Sequence, residues 1–281
     1  MKEDLEAIKH LQNNTPIEAF EGLTPSEMHC LLYNVYDKES SLQMVDTIDD
    51  AILDQIPIFR IAEVFLHIIQ RENGIKLTLG GSLPVKVLTE LYNYGYILED
   101  FIEKGYVKLR REQDCAAILS ARLTVELTGL VKRTNGKLTL TKAGIKLLNK
   151  YDRNKFFHLF MQAFTNKFAW SCNDGYGEDP VAQFGWAFSV ILLDKYGDKP
   201  QEAIFYSEKF LNAFPNSVLF FQPGLSTPEH FYASCYELRT FHRFFEWFGF
   251  VNVEGQHNLL TREFKAYTKS EIINKIFRIV Q

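Results

Sequence analysis

One pattern occurs twice in this chain and constrains its fold more than any other feature. Gly-Leu-Val at 129–131 is followed by Leu-Thr at 140–141, and Gly-Phe-Val at 249–251 is followed by Leu-Thr at 260–261, with equal spacing from glycine to threonine. Each copy follows an apolar stretch with helical periodicity and leads into another such stretch. Helix, short strand, turn, short strand and helix is the order of a winged helix, so the pattern predicts winged-helix-like units.

The turn inside the first copy carries a further signal. Asn135-Gly136 separates two short runs at 130–133 and 137–140, and Asn-Gly is a strong hairpin signal because both residues tolerate positive φ. A third, partial copy covers 74–88, where a Lys-Leu-Thr-Leu stretch leads into a helical pattern. We therefore expect a mostly α fold with small β hairpins, made of repeated winged-helix-like units and a helical C-terminal region.

The length of 281 residues allows about two domains, each with a core of its own. A polar run at 152–154 lies between two helical patterns and marks the expected junction. This junction predicts an N-terminal helical region over 1–152, with a winged-helix-like unit over about 103–152. It also predicts a helical domain over 153–281 that ends in the second winged-helix-like unit.

Charge is unevenly distributed along the chain, although the net charge is only −4. Residues 103–155 carry 13 Lys or Arg and 5 Asp or Glu, whereas residues 1–102 carry 7 and 17. A basic block inside an acidic chain is typical of a surface that contacts a polyanion. The same block can instead dock on the acidic N-terminal region of its own chain or of a second copy, and the sequence leaves both interpretations open.

The first winged-helix-like unit supplies the candidate nucleic-acid contacts. In winged-helix DNA binders the helix before the hairpin enters the major groove and the hairpin tip meets the backbone. Cations on these elements and on the following helix can contact the phosphates of duplex DNA. The candidate residues are Arg122, Lys132, Arg133, Lys137, Lys142 and Lys146. Lys142 and Lys146, together with Lys150, are spaced so that they share one helical face.

The helix before this hairpin argues against sequence-specific reading of DNA. Its apolar residues fall on two opposite sides, which predicts that it is buried on both. Arg122 is its only cation, and no Asn or Gln that would read adenine lies between Ala116 and Gly129. The leading prediction is therefore a non-catalytic binding or scaffold protein that acts through protein–protein contacts. A DNA-associated regulator using the basic 103–155 segment is the alternative.

The helix before the second hairpin is rich in aromatic residues, and its hairpin carries Glu254 but no Lys or Arg. The aromatic residues are Phe241, Phe244, Phe245, Trp247 and Phe248. So many rings line either a core or a subunit interface. We therefore expect either a homodimer through this region or packing of these rings within the chain.

No catalytic motif is present, so we expect no catalytic residues, no cofactor and no metal. The sequence lacks GxSxG, HExxH, the Walker A pattern and an EF-hand loop. The acidic loop at 172–179 matches no calcium-binding spacing, and an exposed acidic loop is the favoured interpretation. Glu27, His29 and Cys30 lie together at a helix start, where a buried structural cysteine is favoured over a nucleophile.

Composition favours a cytoplasmic protein without a membrane segment. The four cysteines are isolated from one another, and the first residues form no apolar signal region. The segment Gly-Leu-Thr-Pro-Ser-Glu-Met-His-Cys-Leu-Leu-Tyr-Asn at 22–34, followed by Lys-Leu-Thr-Leu-Gly-Gly-Ser-Leu-Pro at 76–84, resembles a bacterial protein family to which no activity is assigned. This resemblance covers the first third of the chain and implies a bacterial cytosolic origin.

Overall fold

The structure is a computed structural model that describes residues 2–177, 179–222, 226–255 and 265–280. It is mostly helical, with small antiparallel sheets. The helices are α1 (Lys2–Asn13), α2 (Pro25–Tyr33), α3 (Asp50–Leu53), α4 (Pro57–Arg71), α5 (Val85–Asn93), α6 (Asp100–Glu103), α7 (Ala116–Leu127), α8 (Lys142–Lys150), α9 (Arg153–Asn166), α10 (Trp186–Tyr196), α11 (Ala203–Ala213), α12 (Pro228–Tyr236) and α13 (Glu271–Ile276). A π-helical segment, Glu237–Phe245, continues α12.

The strands are short. They are β1 (Leu42–Met44), β2 (Ile75–Lys76), β3 (Val131–Thr134), β4 (Lys137–Leu140), β5 (Gln201–Glu202), β6 (Val251–Glu254), β7 (Ala266–Lys269) and β8 (Phe277–Ile279). Three antiparallel sheets join them within the described residues, in the orders β1-β8, β2-β4-β3 and β5-β7-β6. In the last two sheets, the third strand along the chain lies in the centre.

The chain divides into two compact units. Unit 1 comprises residues 1–45, 179–246 and 250–281, and unit 2 comprises residues 46–178 and 247–249. The crossings between the units therefore lie near 45 and 178 and around 247–249. The junction at 152–154 falls inside unit 2, where Asp152 caps α9 by accepting the N–H of Lys155, so the boundary at 152 stays a prediction.

Helix starts follow the local capping chemistry that the sequence predicts. Thr24 and Glu27 form a reciprocal capping box at the start of α2, with Pro25 at its first position. Thr227 caps α12 by accepting the N–H of His230, again before a proline. Pro57 at a first helical position, followed by apolar residues at helical spacing, predicts a helix to about Arg71, and α4 confirms it.

The predicted hairpin of unit 2 is confirmed. β3 pairs with β4 from Val131 opposite Leu140 to Thr134 opposite Lys137. Asn135 and Gly136 both have positive φ, 49° and 70°, as a tight hairpin turn of this kind requires. β2 extends the sheet along the other edge of β4.

The hairpin of unit 1 differs from its prediction. The sequence predicts strands over 250–253 and 257–260 and a last helix from about Thr268 to Ile279. Residues 257–260 and Thr261 lie outside the described residues, and β6 pairs with β7, from Val251 opposite Lys269 to Glu254 opposite Ala266. α13 is therefore shorter than the predicted helix, and the chain after it forms β8, which pairs with β1.

Aromatic residues form much of the core of each unit. In unit 2, Phe59 contacts Phe156 and Phe157, with ring centroids 5.0 and 5.1 Å apart. In unit 1, Phe241 packs against Tyr206 and Tyr267 at 5.1 and 4.4 Å. The five aromatic residues predicted to line a core or an interface are all buried within the chain, so no subunit interface is needed to explain them. Among the described residues, no helix is both long and apolar enough to cross a membrane.

Candidate nucleic-acid interface

Strand pairing places three lysines on one face of the β2-β4-β3 sheet. Lys76 lies directly opposite Lys137, and Lys132 lies opposite Thr139 on the other edge of β4. Because side chains alternate along a strand, these residues share the outer face with Thr134. We call Lys76, Lys132 and Lys137 the cationic sheet face. The inner face carries the buried side chains of Ile75, Val131 and Leu138.

No carboxylate balances the cationic sheet face. The three strands contain no Asp or Glu, all three lysines are exposed, and none of the ion pairs among the described residues involves them. Lys76 and Lys137 occupy directly opposite positions, roughly 5 Å apart at Cβ, where like charges destabilise a sheet. An anion bound between these ammonium groups would remove this repulsion.

A glycine beside the sheet fixes the position of Lys137. Gly74 has a φ of +104°, and a Cβ added there would lie 2.6 Å from Cε of Lys137 and 2.7 Å from the carbonyl oxygen of Leu138. The lysine stem therefore runs across Gly74, close to the backbone. Only glycine leaves this path open, both for the stem and for the backbone conformation.

Arg133 belongs to the other face of the sheet. It lies opposite Leu138 rather than beside the lysines. Its guanidinium lies over Gly81, where an added Cβ would be 2.7 Å from Nη2. The side chain is exposed, so Arg133 lies at the edge of the candidate interface rather than on the cationic sheet face.

Lys142 and Lys146 continue the positive charge beyond the sheet. Both are exposed on α8, which follows β4 directly and begins at Thr141, whose side chain accepts the N–H of Gly144. The spacing of the two lysines places them on one side of the helix. Neither takes part in the ion pairs found among the described residues, and both therefore stay in the candidate interface with Lys150.

Arg122 lies elsewhere, in the core of unit 2. Its side chain is buried, and its Nε and Nη2 donate to the fully buried carboxylate of Glu112 over 3.0 and 2.9 Å. Its Nη1 donates to Glu126. Because this guanidinium is buried and neutralised by two carboxylates, a phosphate cannot reach it, and we leave Arg122 out of the interface.

α7 is not available to enter a DNA groove. Along this fully described helix, Leu127 is the one exposed residue, and the others are buried or half-buried. The prediction that this helix is buried on two faces is therefore confirmed. Bases in the major groove cannot be read by a helix whose side chains form the core.

A second basic surface in unit 2 was not predicted from the sequence. A shallow groove of about 570 Å³ is lined by Val107, Lys108, Arg110, Arg111 and Asp114. Just before it, Phe101 and Tyr106 expose 64% and 74% of their surface. The signal for it in the sequence is the interleaving of aromatic and basic residues between 101 and 111, a segment whose local pattern predicts only a short helix over 97–104 and an extended piece over 106–109.

The sequence offered two candidate sites other than a binding interface, the acidic loop at 172–179 and Cys30. Asp179, from the acidic loop, accepts from Arg239 Nη1 over 2.9 Å in a buried ion pair, and Glu178 lies outside the described residues. Burial, with Asp37 and Glu39 nearby, raises the pKa of the Cys30 thiol, which disfavours a reactive thiolate. Two predictions are corrected here: the side chain of Asp179 is buried rather than exposed, and Cys30 is half-buried rather than buried.

A cleft of about 290 Å³ in unit 2 also contains two arginines, but both are bound to carboxylates. Arg153 Nε lies 2.6 Å from Glu63 Oε1, and Arg60 Nη1 lies 2.6 Å from Glu63 Oε2. Asp54 Oδ1 accepts from Arg153 Nη2 over 2.9 Å and forms an ion pair with Arg60 Nη1 at 3.1 Å. These ion pairs connect α4 to the start of α9, and their carboxylates neutralise Arg60 and Arg153.

Comparisons of the chain with known protein families, with curated proteins and with solved structures gave no match. The chemistry of its own residues therefore carries the functional assignment.

Proposed function

We propose that the protein is a non-catalytic nucleic-acid-binding protein that contacts phosphates through the cationic sheet face of unit 2. The observation that carries this proposal is the placement of Lys76, Lys132 and Lys137 together, exposed and without a carboxylate on their sheet. Lys142 and Lys146 extend the surface along α8. Lysines arranged in this way neutralise backbone phosphates and release counterions from the nucleic acid.

The order of elements supports a winged-helix-like interpretation of this part of unit 2. α4, β2, α5, α7, β3 and β4 come in this order, with the short helix α6 between α5 and α7, and β4 lies between β2 and β3 in the sheet. The same order recurs in unit 1 with α10, β5, α11, α12, β6 and β7. In this interpretation, β3 and β4 are the wing, and α7 is the helix that DNA-reading relatives place in the groove.

The burial of α7 defines the mode of binding. Because its side chains pack into the core, contacts fall on the sheet and on α8 and reach phosphates rather than base edges. Such binding is strongly salt-dependent and depends little on sequence. Of the predicted DNA-associated regulator, the proposal therefore keeps only binding to the phosphates of the nucleic acid.

Fluorescence anisotropy of a labelled duplex, titrated from low to physiological salt, tests the proposal. The double variant Lys132→Glu/Lys137→Glu should weaken binding and lower the log–log salt slope by about 2, because each lost phosphate contact contributes about 0.9. The matched control Lys199→Glu/Lys275→Glu makes the same charge change at exposed lysines of unit 1. Equal losses in both variants, or no binding by the unaltered protein, would contradict the proposal.

Binding through protein–protein contacts, either to a partner or by self-association, is the second function that an observation favours. α1 is exposed along its length from Asp4 onward, and Leu5, Ile8 and Leu11 each expose half of their surface or more. An apolar stripe on an exposed helix is typical of a protein-binding surface. Sedimentation of the protein over a concentration range, compared with Leu5→Glu/Ile8→Glu, tests self-association through this stripe.

A further inference from the structure

We infer that unit 2 binds single-stranded nucleic acid on the surface formed by Phe101, Tyr106 and the adjacent basic groove. This inference rests on the proposed function, because it assigns a class of nucleic acid to the same unit. Proteins that hold single strands combine a positively charged groove with exposed rings on which bases stack. Both components are adjacent in this segment.

Backbone hydrogen bonds hold the two rings on the surface. The N–H groups of Tyr106 and Val107 both donate to the carbonyl oxygen of Phe101, over 2.9 and 3.0 Å. This closes the chain after α6 into a tight loop, with the two ring centroids 6.5 Å apart and inclined by 51°. Because these bonds hold the backbone of the loop, only the side chains of the two rings need to be ordered when a base stacks on them.

The groove beside the rings is cationic because its lining contains Lys108, Arg110 and Arg111 and a single carboxylate, Asp114. Asp114 accepts the backbone N–H groups of Arg110 and Arg111 over 2.9 and 2.8 Å. Lys108 and Arg110 have no carboxylate partner in the ion pairs found among the described residues. Arg111 Nη2 lies 3.5 Å from Asp114 Oδ1 and is balanced by that carboxylate. Lys108 and Arg110 therefore leave net positive charge beside the rings.

The nearby carboxylates of α6 also face internal donors. Glu99 accepts the N–H of Ala116 over 3.0 Å, and Glu103 accepts the hydroxyl of Tyr92 over 2.9 Å. Asp100 pairs with Lys104 at 2.9 Å. These carboxylates keep their charge, but none of them lines the groove, where Lys108, Arg110 and Arg111 outnumber Asp114.

Exposed rings favour a single strand over a duplex or an acidic peptide. Bases of a duplex are stacked on one another, whereas those of a single strand are free to stack on Phe101 and Tyr106. An acidic peptide with an apolar anchor would need an apolar pocket, and Val107 is the only apolar residue that lines the groove. Stacking tolerates every base, which agrees with a unit that lacks a reading helix.

The test compares a labelled single-stranded oligonucleotide with a duplex of the same length and sequence in anisotropy titrations. Phe101→Ala/Tyr106→Ala should weaken single-strand binding about 30-fold or more, because each stacked base contributes about 1 kcal/mol at least. Duplex binding should change less than threefold. Phe101→Tyr/Tyr106→Phe keeps both rings and should retain the affinity.

The control Tyr33→Ala/Phe220→Ala removes two comparably exposed rings from unit 1 and should leave both affinities unchanged. Equal losses for single strand and duplex, or equal competition by polyglutamate and by the unlabelled single strand, would overturn the inference while leaving phosphate binding in place. Failure of the unaltered protein to bind either nucleic acid would overturn the proposed function as well. Circular dichroism melting verifies that each variant is folded.

Discussion

The backbone N–H of Ser270 donates to the carbonyl oxygen of Phe250 over 2.9 Å. The N–H of Thr141 makes the same bond to Leu130, also over 2.9 Å. In both cases, the residue that caps the helix after a hairpin is bonded to the residue just before the hairpin's first strand. The two units therefore close their hairpins in the same way, although the connection between the strands is longer in unit 1.

Stability should require Gly144 in α8, because this residue packs closely against the backbone of Leu130. A Cβ on Gly144 would collide with the carbonyl oxygen of Leu130. Helix propensity alone favours alanine by about 1 kcal/mol, so a destabilised Gly144→Ala variant would show that the contact outweighs propensity. Urea denaturation measures the difference. Gly80→Ala, where an added Cβ has no neighbour within 4 Å, should change stability little.

The buried ion pair of Arg122 and Glu112 should affect stability rather than binding. Arg122→Met leaves the Glu112 carboxylate buried without its cation, which should cost about 3–5 kcal/mol in the free energy of unfolding. Glu112→Gln/Arg122→Met removes that uncompensated charge while keeping an acceptor for the N–H of Leu83. This double variant should therefore be more stable than Arg122→Met. A double variant that is no more stable would contradict the assignment.

Glu21 should make stability depend on pH in the acidic range. Burial opposes its ionisation, but hydrogen bonds from Lys209, Tyr196 and Lys195 outweigh burial and lower its pKa to about 2. The folded carboxyl is the stronger acid, so its contribution is complete above the unfolded pKa near 4.5 and is lost as pH falls toward 2. Glu21→Gln should be about 2–3 kcal/mol less stable at pH 7.

The pH dependence of that difference provides the check. Denaturation of the protein and of Glu21→Gln at pH 7, 4 and 3 should show the gap narrowing as the pH falls. Glu18→Gln, at an exposed position of the same segment, serves as the control and should show no gap. A gap that is constant with pH would mean that the carboxylate charge is not what stabilises this contact.

His242 should make stability depend on pH in the direction opposite to Glu21. Burial lowers its pKa, but the carboxylates of Glu237 and Glu246 outweigh this effect, and the net pKa is raised. Lys265 and Tyr267 also face the imidazole from β7 and the residue before it. Because the folded pKa is raised, the stabilisation is complete below about 6.5 and is lost as the pH rises through the folded pKa. His242→Gln should therefore be more destabilising at pH 5.5 than at pH 9 in thermal melts.

Local chemistry predicted the elements whose signals lie within a few residues. Asn135-Gly136 fixed the hairpin of unit 2, and Pro57 together with Asn73-Gly74 bounded α4. The second strand of the unit 1 hairpin was placed before Thr261 because Leu-Thr at 260–261 repeats the spacing of Leu-Thr at 140–141. β6 pairs with β7 instead, and that pairing depends on tertiary contacts that the spacing does not show.

The charge pattern of the sequence predicted part of the candidate interface. The spacing of Lys132, Lys137, Lys142 and Lys146 was visible in the sequence, and their exposure follows from the strand and helix faces. Lys76 was missed because it comes from a distant strand that joins the sheet only on folding. Arg122 was included because sequence alone does not show that Glu112 is buried against it.

The pairing of β1 with β8 has a consequence for synthesis on the ribosome. Leu42 lies opposite Ile279, so the first strand among the described residues forms its ladder with the last of them. At about 5–20 residues per second, β1 emerges roughly 10 to 50 s before its partner is made. Most of unit 2 is complete in that interval, so nascent unit 1 exposes an unpaired strand edge while unit 2 can already fold. A chaperone that shields such edges would act during this window.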